Sequence, residues 1–417
     1  MKRIVSLFLA LALVLSMSAV AVAEEKIVLN FWHCSTGAAA EAHKYLIEKF
    51  NASQDKIEVV FEYQAGSYYD LNSKVQTAMT TGTAPEISLG ETMTMAHLAN
   101  TGIIQPLDAY VANDPEFNLD DYAAGVMSNT YVKGKLYGLP YQRSTAMMFT
   151  NKSLFKAAGL DENGPKTFEE LVTYCKALTK GDVVGWVQQT TTWTYEAIVN
   201  GFGGSMMNED FTAVAFNEEN ALKAMELYRQ GLAEGWADIK VGGTATADAR
   251  LEFQNQRSAF IVDSTGATAT MMGYAEGMGF ELGACVIPGV ASAAGGCNLV
   301  MVNGISEEKA QAAWTFMKFM NSYDSALYIT RQTGYLPLLR SVIAGPEMAE
   351  LYAEKPVYAV AAQQTEHINS RPIHEGYNEV NTELLNVLTE LIMDPTIDAK
   401  EAMDEFAEEA NAILESY

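Results

Sequence analysis

Short apolar runs alternate with longer amphipathic segments near the start of the chain. Residues 27–32, 57–63 and 86–89 are rich in β-branched and aromatic side chains, which is typical of strands. Between them, residues 38–50 and 70–80 repeat apolar positions with helical spacing, and Gly82 is expected to end the second helix. A β-α-β-α-β order of this kind predicts a mostly parallel sheet with helices on its faces. Ligand sites in such sheets lie beyond the carboxyl ends of the strands.

Helix start signals continue along the rest of the chain. Thr167, followed by Glu169 and Glu170, forms a capping-box pattern, and Asn217 and Ser306 each precede two glutamates at further predicted helix starts. The stretch after Pro395 places apolar side chains on one face and predicts a terminal amphipathic helix. No internal repeat and no linker rich in Pro, Ser or charge divides the chain, which favours two interleaved lobes over two domains in series.

Length and charge limit the classes of function. The chain has 417 residues, more than the roughly 250–300 over which a single core usually grows, so two lobes or domains are expected. Acidic residues outnumber basic ones by 52 to 27, giving a formal net charge of −25. Such a surface repels phosphate backbones and anionic lipids, so no nucleic-acid or membrane-surface partner is expected.

The first 23 residues have the pattern of a signal peptide. Lys2 and Arg3 precede an apolar core at residues 4–15, and residues 21–23 read Ala-Val-Ala, a small-x-small cleavage site. A membrane anchor is the alternative, but the run is short for a span of about 20 residues. No cysteine lies at the cleavage site, so we expect a periplasmic or secreted protein without a lipid anchor.

The four cysteines do not indicate a metal site. They have no Cys-x-x-Cys spacing and no histidine at a zinc-finger distance, so neither a metal nor a cofactor is expected. Cys285 and Cys297 are near enough in sequence for a short disulfide in an exported protein, with buried free thiols as the alternative.

Catalytic signatures are absent from the sequence. It contains no G-x-S-x-G, H-E-x-x-H, Walker or G-x-G-x-x-G motif, and its five histidines form no pair at i, i+4. We therefore expect a binding protein and not an enzyme. A secreted carbohydrate-active enzyme and a sugar sensor or adhesin without a transport role remain alternatives.

Aromatic and polar residues at loop or strand-end positions are candidates for binding a hydroxylated solute. Sugars need aromatic faces for their C–H surfaces and fixed polar groups for their hydroxyls. The aromatic candidates are Trp32, Tyr68, Trp186, Trp193 and Tyr335. The polar candidates are Glu91, Ser144, Ser264 and Arg371. Each also has a packing interpretation, and the pattern alone does not choose between them.

Six segments, which together span nearly the whole chain after residue 23, can be compared with a known family. The segments are LNFWHCSTG, TGTAPEISLGE, GKLYGLPYQRSTAMMFTNKSLFKAAGL, PKTFEEL, TGYLP and DAKEAMDEFAEEANAIL. In this order they resemble the extracellular solute-binding proteins of ATP-driven (ABC) importers, in the carbohydrate-type class. The resemblance implies the type II periplasmic binding protein fold, an α/β fold whose two interleaved lobes are joined by a hinge around a central cleft. We place residues 24–141 with 267–305 in the N-terminal lobe, and 142–266 with 306–417 in the C-terminal lobe.

Within this class the chain is most similar to glycerol-3-phosphate-binding proteins, which implies a set of cleft residues. That set carries over to Tyr68, Glu91, Ser144, Ser264, Thr265, Gly295, Gly296, Tyr335 and Arg371. The Phe-Trp-His opening adds Trp32 and His33. Two tryptophans of that subgroup are matched here by Val183 and Trp186, with Trp193 as a weaker candidate. Arg371 is followed by Pro372, as in many general sugar binders.

The resemblance implies binding without chemistry. A sugar, glycerol 3-phosphate or a glycerophosphodiester would dock in the cleft, and the lobes would close over it. The partners expected are this solute and the permease and ATPase subunits of an importer, and the protein itself is expected to be a monomer. Should Arg371 hold a phosphate, it should lie far from Glu91, because a carboxylate beside a phosphate is unfavourable.

Overall fold

A computed structural model describes residues 25–289, 292–366 and 368–417. The predicted signal peptide therefore lies outside the described residues. The strands are β1 Ile27–His33, β2 Ile57–Tyr63, β3 Ile87–Glu91, β4 Tyr131–Val132, β5 Lys135–Leu136, β6 Leu139–Ser144, β7 Ala146–Asn151, β8 Val184–Gln189, β9 Ala237–Lys240, β10 Ser258–Ser264, β11 Leu282–Cys285, β12 Ser292–Ala293, β13 Gly295–Met301 and β14 Ile368–Asn369.

The helices alternate with the strands for most of the chain. They are α1 Gly37–Ser53, α2 Tyr68–Thr81, α3 Met95–Asn100, α4 Asp108–Ala112, α5 Lys152–Ala158, α6 Phe168–Leu178, α7 Thr192–Gly201, α8 Glu219–Glu234, α9 Ala245–Gln254, α10 Thr268–Met278, α11 Glu307–Met320, α12 Tyr323–Thr333, α13 Arg340–Ile343, α14 Pro346–Glu354, α15 Pro356–Ala362, α16 Tyr377–Met393 and α17 Ala399–Glu415. No helix among the described residues is long and apolar enough to cross a bilayer.

Two five-stranded sheets form the centres of two lobes. The first has the order β2-β1-β3-β13-β6, and the second has the order β11-β7-β10-β8-β9. Strands β1, β2 and β3 are parallel as predicted, whereas β13 runs antiparallel to both β3 and β6. The two-lobed α/β fold predicted from the sequence is confirmed.

The signals at helix ends act locally as the sequence predicted, with one exception. The Ser67 side chain accepts a hydrogen bond from the Asp70 N–H at the start of α2, and Gly82 ends that helix with a φ of 69°. Thr167 and Ser306 cap α6 and α11. Asn217 does not cap α8, because Glu218 is the N-cap residue and Asn217 bonds to Asp404 instead.

The predicted lobe boundaries need correction at two of three positions. The first crossing is at Thr145, between β6 and β7, three residues beyond the predicted boundary. After β10, however, the chain stays in the second lobe, since α10 packs with β10 in one core and β11 joins the second sheet. It returns to the first lobe only before β13. Helices α11 and α12 then pack on the first sheet and not on the second.

Hydrogen bonds tie the crossing segments to one another. The Thr265 N–H donates to the Thr145 carbonyl at 2.9 Å, and the Thr145 N–H donates to Thr265 Oγ1 at 3.3 Å. The Ala146 N–H donates to Ser292 Oγ at 3.1 Å, and the Leu336 N–H donates to a carbonyl of β6 at 2.8 Å. The lobes are thus joined by a compact bundle of extended segments, which is the arrangement a hinge requires.

Candidate functional site

A cavity of about 370 Å³ opens between the two lobes. The N-terminal lobe contributes the loops that follow β1 and β2. The C-terminal lobe contributes Arg250 and the turn after β10. The lining residues are Cys34, Ser35, Thr36, Gly37, Ala38, Ala39, Gly66, Ser67, Tyr68, Arg250, Ser264, Gly266, Ala267, Ala269, Thr270 and Tyr335. Both lobes supply carboxyl ends of strands to this cavity, as the parallel order of β1, β2 and β3 predicted.

Three residues predicted for the site meet in this cavity: Tyr68, Ser264 and Tyr335. Burial raises the pKa of the Tyr335 hydroxyl to about 12, so it stays protonated and is available as a donor. A Cβ on Gly266 would lie only 2.6 Å from Cε1 of Tyr335, so the ring packs directly on the backbone of the turn. Thr265 of the same turn is fully buried, and it contacts the crossing segment instead of the cavity.

Arg250 brings a guanidinium to the cavity, and that charge is already paired. Its Nε and Nη2 donate to the two oxygens of Asp263, at 2.7 and 3.0 Å. The adjacent Asp263 carboxylate raises the pKa of Arg250. This bidentate pair occupies the edge of the guanidinium formed by Nε and Nη2, so Asp263 balances the positive charge of Arg250.

A second group of charged side chains surrounds Arg371, which is buried between the lobes. Its Nε donates to Glu196 of α7 at 2.9 Å, and its Nη1 donates to Glu91, at the end of β3, at 3.4 Å. Its backbone is fixed by Asn129, whose side chain accepts from the Arg371 N–H and donates to the Arg371 carbonyl, both at 3.0 Å. Arg371 therefore contacts a carboxylate from each lobe.

Burial and charge act against each other within this group. Burial raises the pKa of Glu196, while Arg371 lowers it. Burial alone would lower the pKa of Arg371, but Glu196, Tyr69 and Glu91 raise it above its ordinary value. Burial also raises the pKa of Tyr69 and Tyr377 beside them, so both phenols are neutral donors. The group thus holds two carboxylates, one guanidinium and two aromatic rings.

The second crossing segment positions Trp193 beside Ser144. The Trp193 Nε1 donates to the Ala294 carbonyl at 3.0 Å, and a Cβ on Gly295 would lie 2.5 Å from Ser144 Oγ and 2.8 Å from the Trp193 ring. Gly296 has a φ of +86°, and a Cβ there would lie 1.9 Å from the Gln142 carbonyl oxygen. The structure thus brings Ser144, Trp193 and the Gly-Gly pair together.

Three predicted residues lie elsewhere. Trp186 is completely buried in the core of the C-terminal lobe, because its position in the central strand β8 directs it against Tyr228. His33 is buried in the N-terminal lobe and stacks on Phe61 with ring centroids 3.8 Å apart. Trp32 is half-buried on β1 and donates to Glu62 on the neighbouring strand at 2.7 Å. None of the three lines the interlobe cavity.

The disulfide considered between Cys285 and Cys297 is not formed. Both thiols are free and buried, and the two residues belong to strands of different sheets, β11 and β13. Within the described residues no cluster of three or more His, Cys, Asp or Glu side chains is arranged to hold a metal ion.

Sequence reasoning missed Glu196, Tyr69 and Arg250. Glu196 follows Trp193 by three positions on α7, so the two share a helix face, and this spacing was a usable signal. Tyr69 follows the predicted Tyr68 directly, but its ring packs against the core of the opposite lobe. Arg250 on α9 has no recognisable sequence signal, because its partner Asp263 lies on the following strand, β10, and the two meet only in the folded lobe.

Comparison with known proteins assigns this geometry to a family. Residues 45–356 match the family described as "Bacterial extracellular solute-binding protein". The chain belongs to this family. Its members bind small-molecule solutes and act with the permease and ATPase subunits of ABC importers, so the prediction of a solute-binding importer component is confirmed.

Individual relatives of this solute-binding protein are distant but align over their full length. The chain is 24% identical over 440 residues to the sn-glycerol-3-phosphate-binding periplasmic protein UgpB of Escherichia coli K12, covering 98% of both chains. UgpB of Mycobacterium tuberculosis, solved with glycerophosphocholine, has a TM-score of 0.84 and 22% identity, covering 94% of this chain and 99% of that one. The GacH receptor of Streptomyces glaucescens, solved unliganded and with acarbose, has a TM-score of 0.82 and 22% identity, covering 94% and 100%.

Proposed function

We propose that this protein captures a neutral carbohydrate-type solute in the interlobe cleft and delivers it unaltered to the membrane subunits of an importer. The observation that carries the proposal is the state of the two guanidiniums at the cleft. Arg250 is paired with Asp263, and Arg371 with Glu196 and Glu91. Three carboxylates against two guanidiniums leave the cleft without a cation reserved for a phosphate.

The remaining groups suit hydroxyls. Tyr68, Tyr335 and Ser264 offer donors and acceptors on the cavity wall. Trp193 and Tyr69 are partly buried outside that wall, and we propose that their rings contribute apolar faces to the solute site. Arg371 Nη2 is buried and has no partner in the described structure, so it has a hydrogen to donate to a solute oxygen. We propose Tyr68, Glu91, Ser144, Trp193, Ser264, Gly296, Tyr335 and Arg371 as the ligand-binding set.

A second candidate is a glycerophosphodiester that carries a cationic head group. The excess carboxylate near Tyr69, Trp193 and Tyr377 is the specific observation that favours it, since quaternary ammonium groups bind to aromatic faces with a nearby negative charge. The M. tuberculosis relative was solved with glycerophosphocholine, a ligand of this kind.

The proposal extends to where the protein acts and to its oligomeric state. We propose that residues 1–23 are removed on export and that the protein acts as a monomer in the periplasm or outside the cell. The relatives in Escherichia coli are periplasmic. We propose no catalytic step, and recovery of intact solute after incubation is the check on that statement.

A solute panel tests the proposal. Ligand-free protein, prepared by unfolding and refolding, is screened by thermal shift and titration calorimetry against maltose, maltotriose, acarbose, glycerophosphocholine and sn-glycerol 3-phosphate. A solute present at 100 times its Kd stabilises the protein by about 2.7 kcal/mol, which is readily seen as a rise in Tm. We expect a neutral sugar to bind and sn-glycerol 3-phosphate not to bind. Tight binding of sn-glycerol 3-phosphate would overturn the proposal, and exclusive binding of glycerophosphocholine would select the second candidate.

A further inference from the structure

Glu196 is a buried carboxylate with a single hydrogen-bonding partner. It lies one turn into α7 and is 2% exposed, and in the described structure its only side-chain hydrogen bond is the one it accepts from Arg371 Nε at 2.9 Å. Glu91, in contrast, also accepts from the Thr92 hydroxyl at 2.8 Å and from the Met93 N–H at 2.6 Å. Arg371 is therefore the one hydrogen-bonding partner of the Glu196 side chain in the described structure, whereas Glu91 also bonds to residues of the loop that follows it.

The positions of the two carboxylates determine what Arg371 can bind. A guanidinium grips an anion through two parallel N–H groups on one of its edges, either Nε with Nη2 or Nη1 with Nη2. Here Glu196 occupies Nε on the first edge and Glu91 occupies Nη1 on the second. Only Nη2 has no partner, and it is buried. A phosphate at Nη2 would meet a carboxylate on either side, whereas a single hydroxyl oxygen would not.

We propose that Glu196 is a specificity-determining residue that reserves Arg371 for neutral oxygen acceptors and excludes phosphate. This inference rests on the proposed capture of a neutral solute and adds the residue that enforces it. Glu196 acts through Arg371, as a positioning residue that occupies one edge of the guanidinium and cancels its charge. Removal of this negative charge should lessen the repulsion that an anion meets at Nη2 of Arg371.

The test is a gain of anion binding, which a merely structural role would not produce. Glu196→Gln is titrated with inorganic phosphate and with sn-glycerol 3-phosphate at pH 7.5 and low salt, beside the wild-type protein. We expect at least a tenfold increase in affinity for both anions. Glu226→Gln is the matched control, because Glu226 is exposed on α8 of the same lobe and its substitution changes the net charge equally. The control should bind both anions as the wild type does.

A conservative variant separates charge from packing. Glu196→Asp keeps the negative charge and should exclude the anions as the wild type does, whatever its stability. Should Glu196→Gln fail to fold, Glu91→Gln removes the negative charge beside Nη1 and carries the same expectation. A folded Glu196→Gln or Glu91→Gln protein whose anion affinity does not exceed that of the wild type would overturn the inference.

The outcome is independent of the solute panel. Wild-type protein that binds no neutral sugar would refute the proposed function and leave the anion titrations interpretable. A neutral sugar bound by the wild type, together with unchanged anion affinity in the variants, would refute the role of Glu196 alone.

Discussion

Two tryptophans seven residues apart should respond to truncation in opposite ways. Trp186 is completely buried on β8, packs edge-on against Tyr228 with ring centroids 5.5 Å apart, and donates to Gln188 at 3.1 Å. Trp193 is half-buried at the start of α7 and donates to the Ala294 carbonyl on the crossing segment. The first is therefore a core residue, whereas we propose that the second contacts the solute.

The expected magnitudes differ accordingly. Truncation of a buried tryptophan to alanine costs about 3–5 kcal/mol of stability, so Trp186→Ala should lower Tm by roughly 4–6 °C in a chain of this length. The protein that remains folded should keep its solute affinity within about threefold, because no contact with the cleft is lost. Trp193→Ala removes one hydrogen bond and part of a ring contact, with a stability cost of about 1–2 kcal/mol. Its solute affinity should fall about tenfold or more, the equivalent of about 1.4 kcal/mol.

Thermal unfolding followed by circular dichroism gives the stability, and titration calorimetry at 15 °C, where both variants are folded, gives the affinity. The solute is the compound that gives the largest shift in the panel. Trp186→Phe is a milder companion that keeps an aromatic ring in the core. A Trp186→Ala protein with wild-type Tm and lost binding would refute the assignment of Trp186 to the core.

Three further predictions follow from buried or constrained residues. Burial lowers the pKa of His33 to about 4. Between about pH 4 and pH 6.5 the unfolded chain therefore binds more protons at this imidazole than the folded chain does, so the stability should fall as the pH falls. At pH 5 the contribution of His33 to this loss should be about 2 kcal/mol. Burial also lowers the pKa of His43 to about 3, so the wild type should lose more than this between pH 7 and pH 5, and His33→Phe should lose about 2 kcal/mol less than the wild type. Gly296→Ala places a Cβ against the Gln142 carbonyl on a backbone of left-handed conformation and should lower the free energy of unfolding by about 2 kcal/mol or more. Gly243→Ala is the control, because a Cβ there meets nothing within 4 Å and should leave the stability of the protein unchanged. Arg371→Met leaves the carboxylates of Glu91 and Glu196 buried without their cation and should lower the free energy of unfolding, measured in urea, by about 3–5 kcal/mol. Adding Glu196→Gln to the same chain should restore part of this loss. Equal stability of the single and double variants would contradict this pairing.

Local patterns predicted the elements that depend on local physics. Ile57–Tyr63 was predicted to the residue, and the predicted helix end at Gly82 was confirmed, because alternation and a glycine cap are written in neighbouring residues. The resemblance to the family added the two-lobed fold and the expected set of cleft residues. The second crossing was misplaced because the chain pattern after β10 does not show that β13 inserts antiparallel between β3 and β6.

The charged group around Arg371 could not be predicted from the sequence, because it too depends on contacts between distant parts of the chain. The carboxylate of Glu196 and the guanidinium of Arg371 are 175 positions apart in the chain and meet only when both lobes have formed. The sequence did not show which of Trp186 and Trp193 contacts the solute. The residues next to each tryptophan in the chain do not reveal whether its ring points into the core of a lobe or towards the cleft. Burial, which decides between them, is a property of the packed lobe.

The position of Arg371 connects solute selection to closure of the lobes. Its backbone is fixed to Asn129 of the N-terminal lobe, and its side chain reaches Glu196 of the C-terminal lobe. Any opening that moves α7 away from β3 must separate Arg371 from one of its two carboxylates. Water would then solvate the separated charges, which offsets part of the loss of the ion pair. We expect an oxygen that accepts from Nη2 to favour the arrangement of the lobes in which Arg371 is buried between them. Under the proposed role of Glu196, an anion that drew Arg371 away from this carboxylate would weaken a contact between the lobes, so the same ion pair would disfavour anionic solutes in both binding and closure.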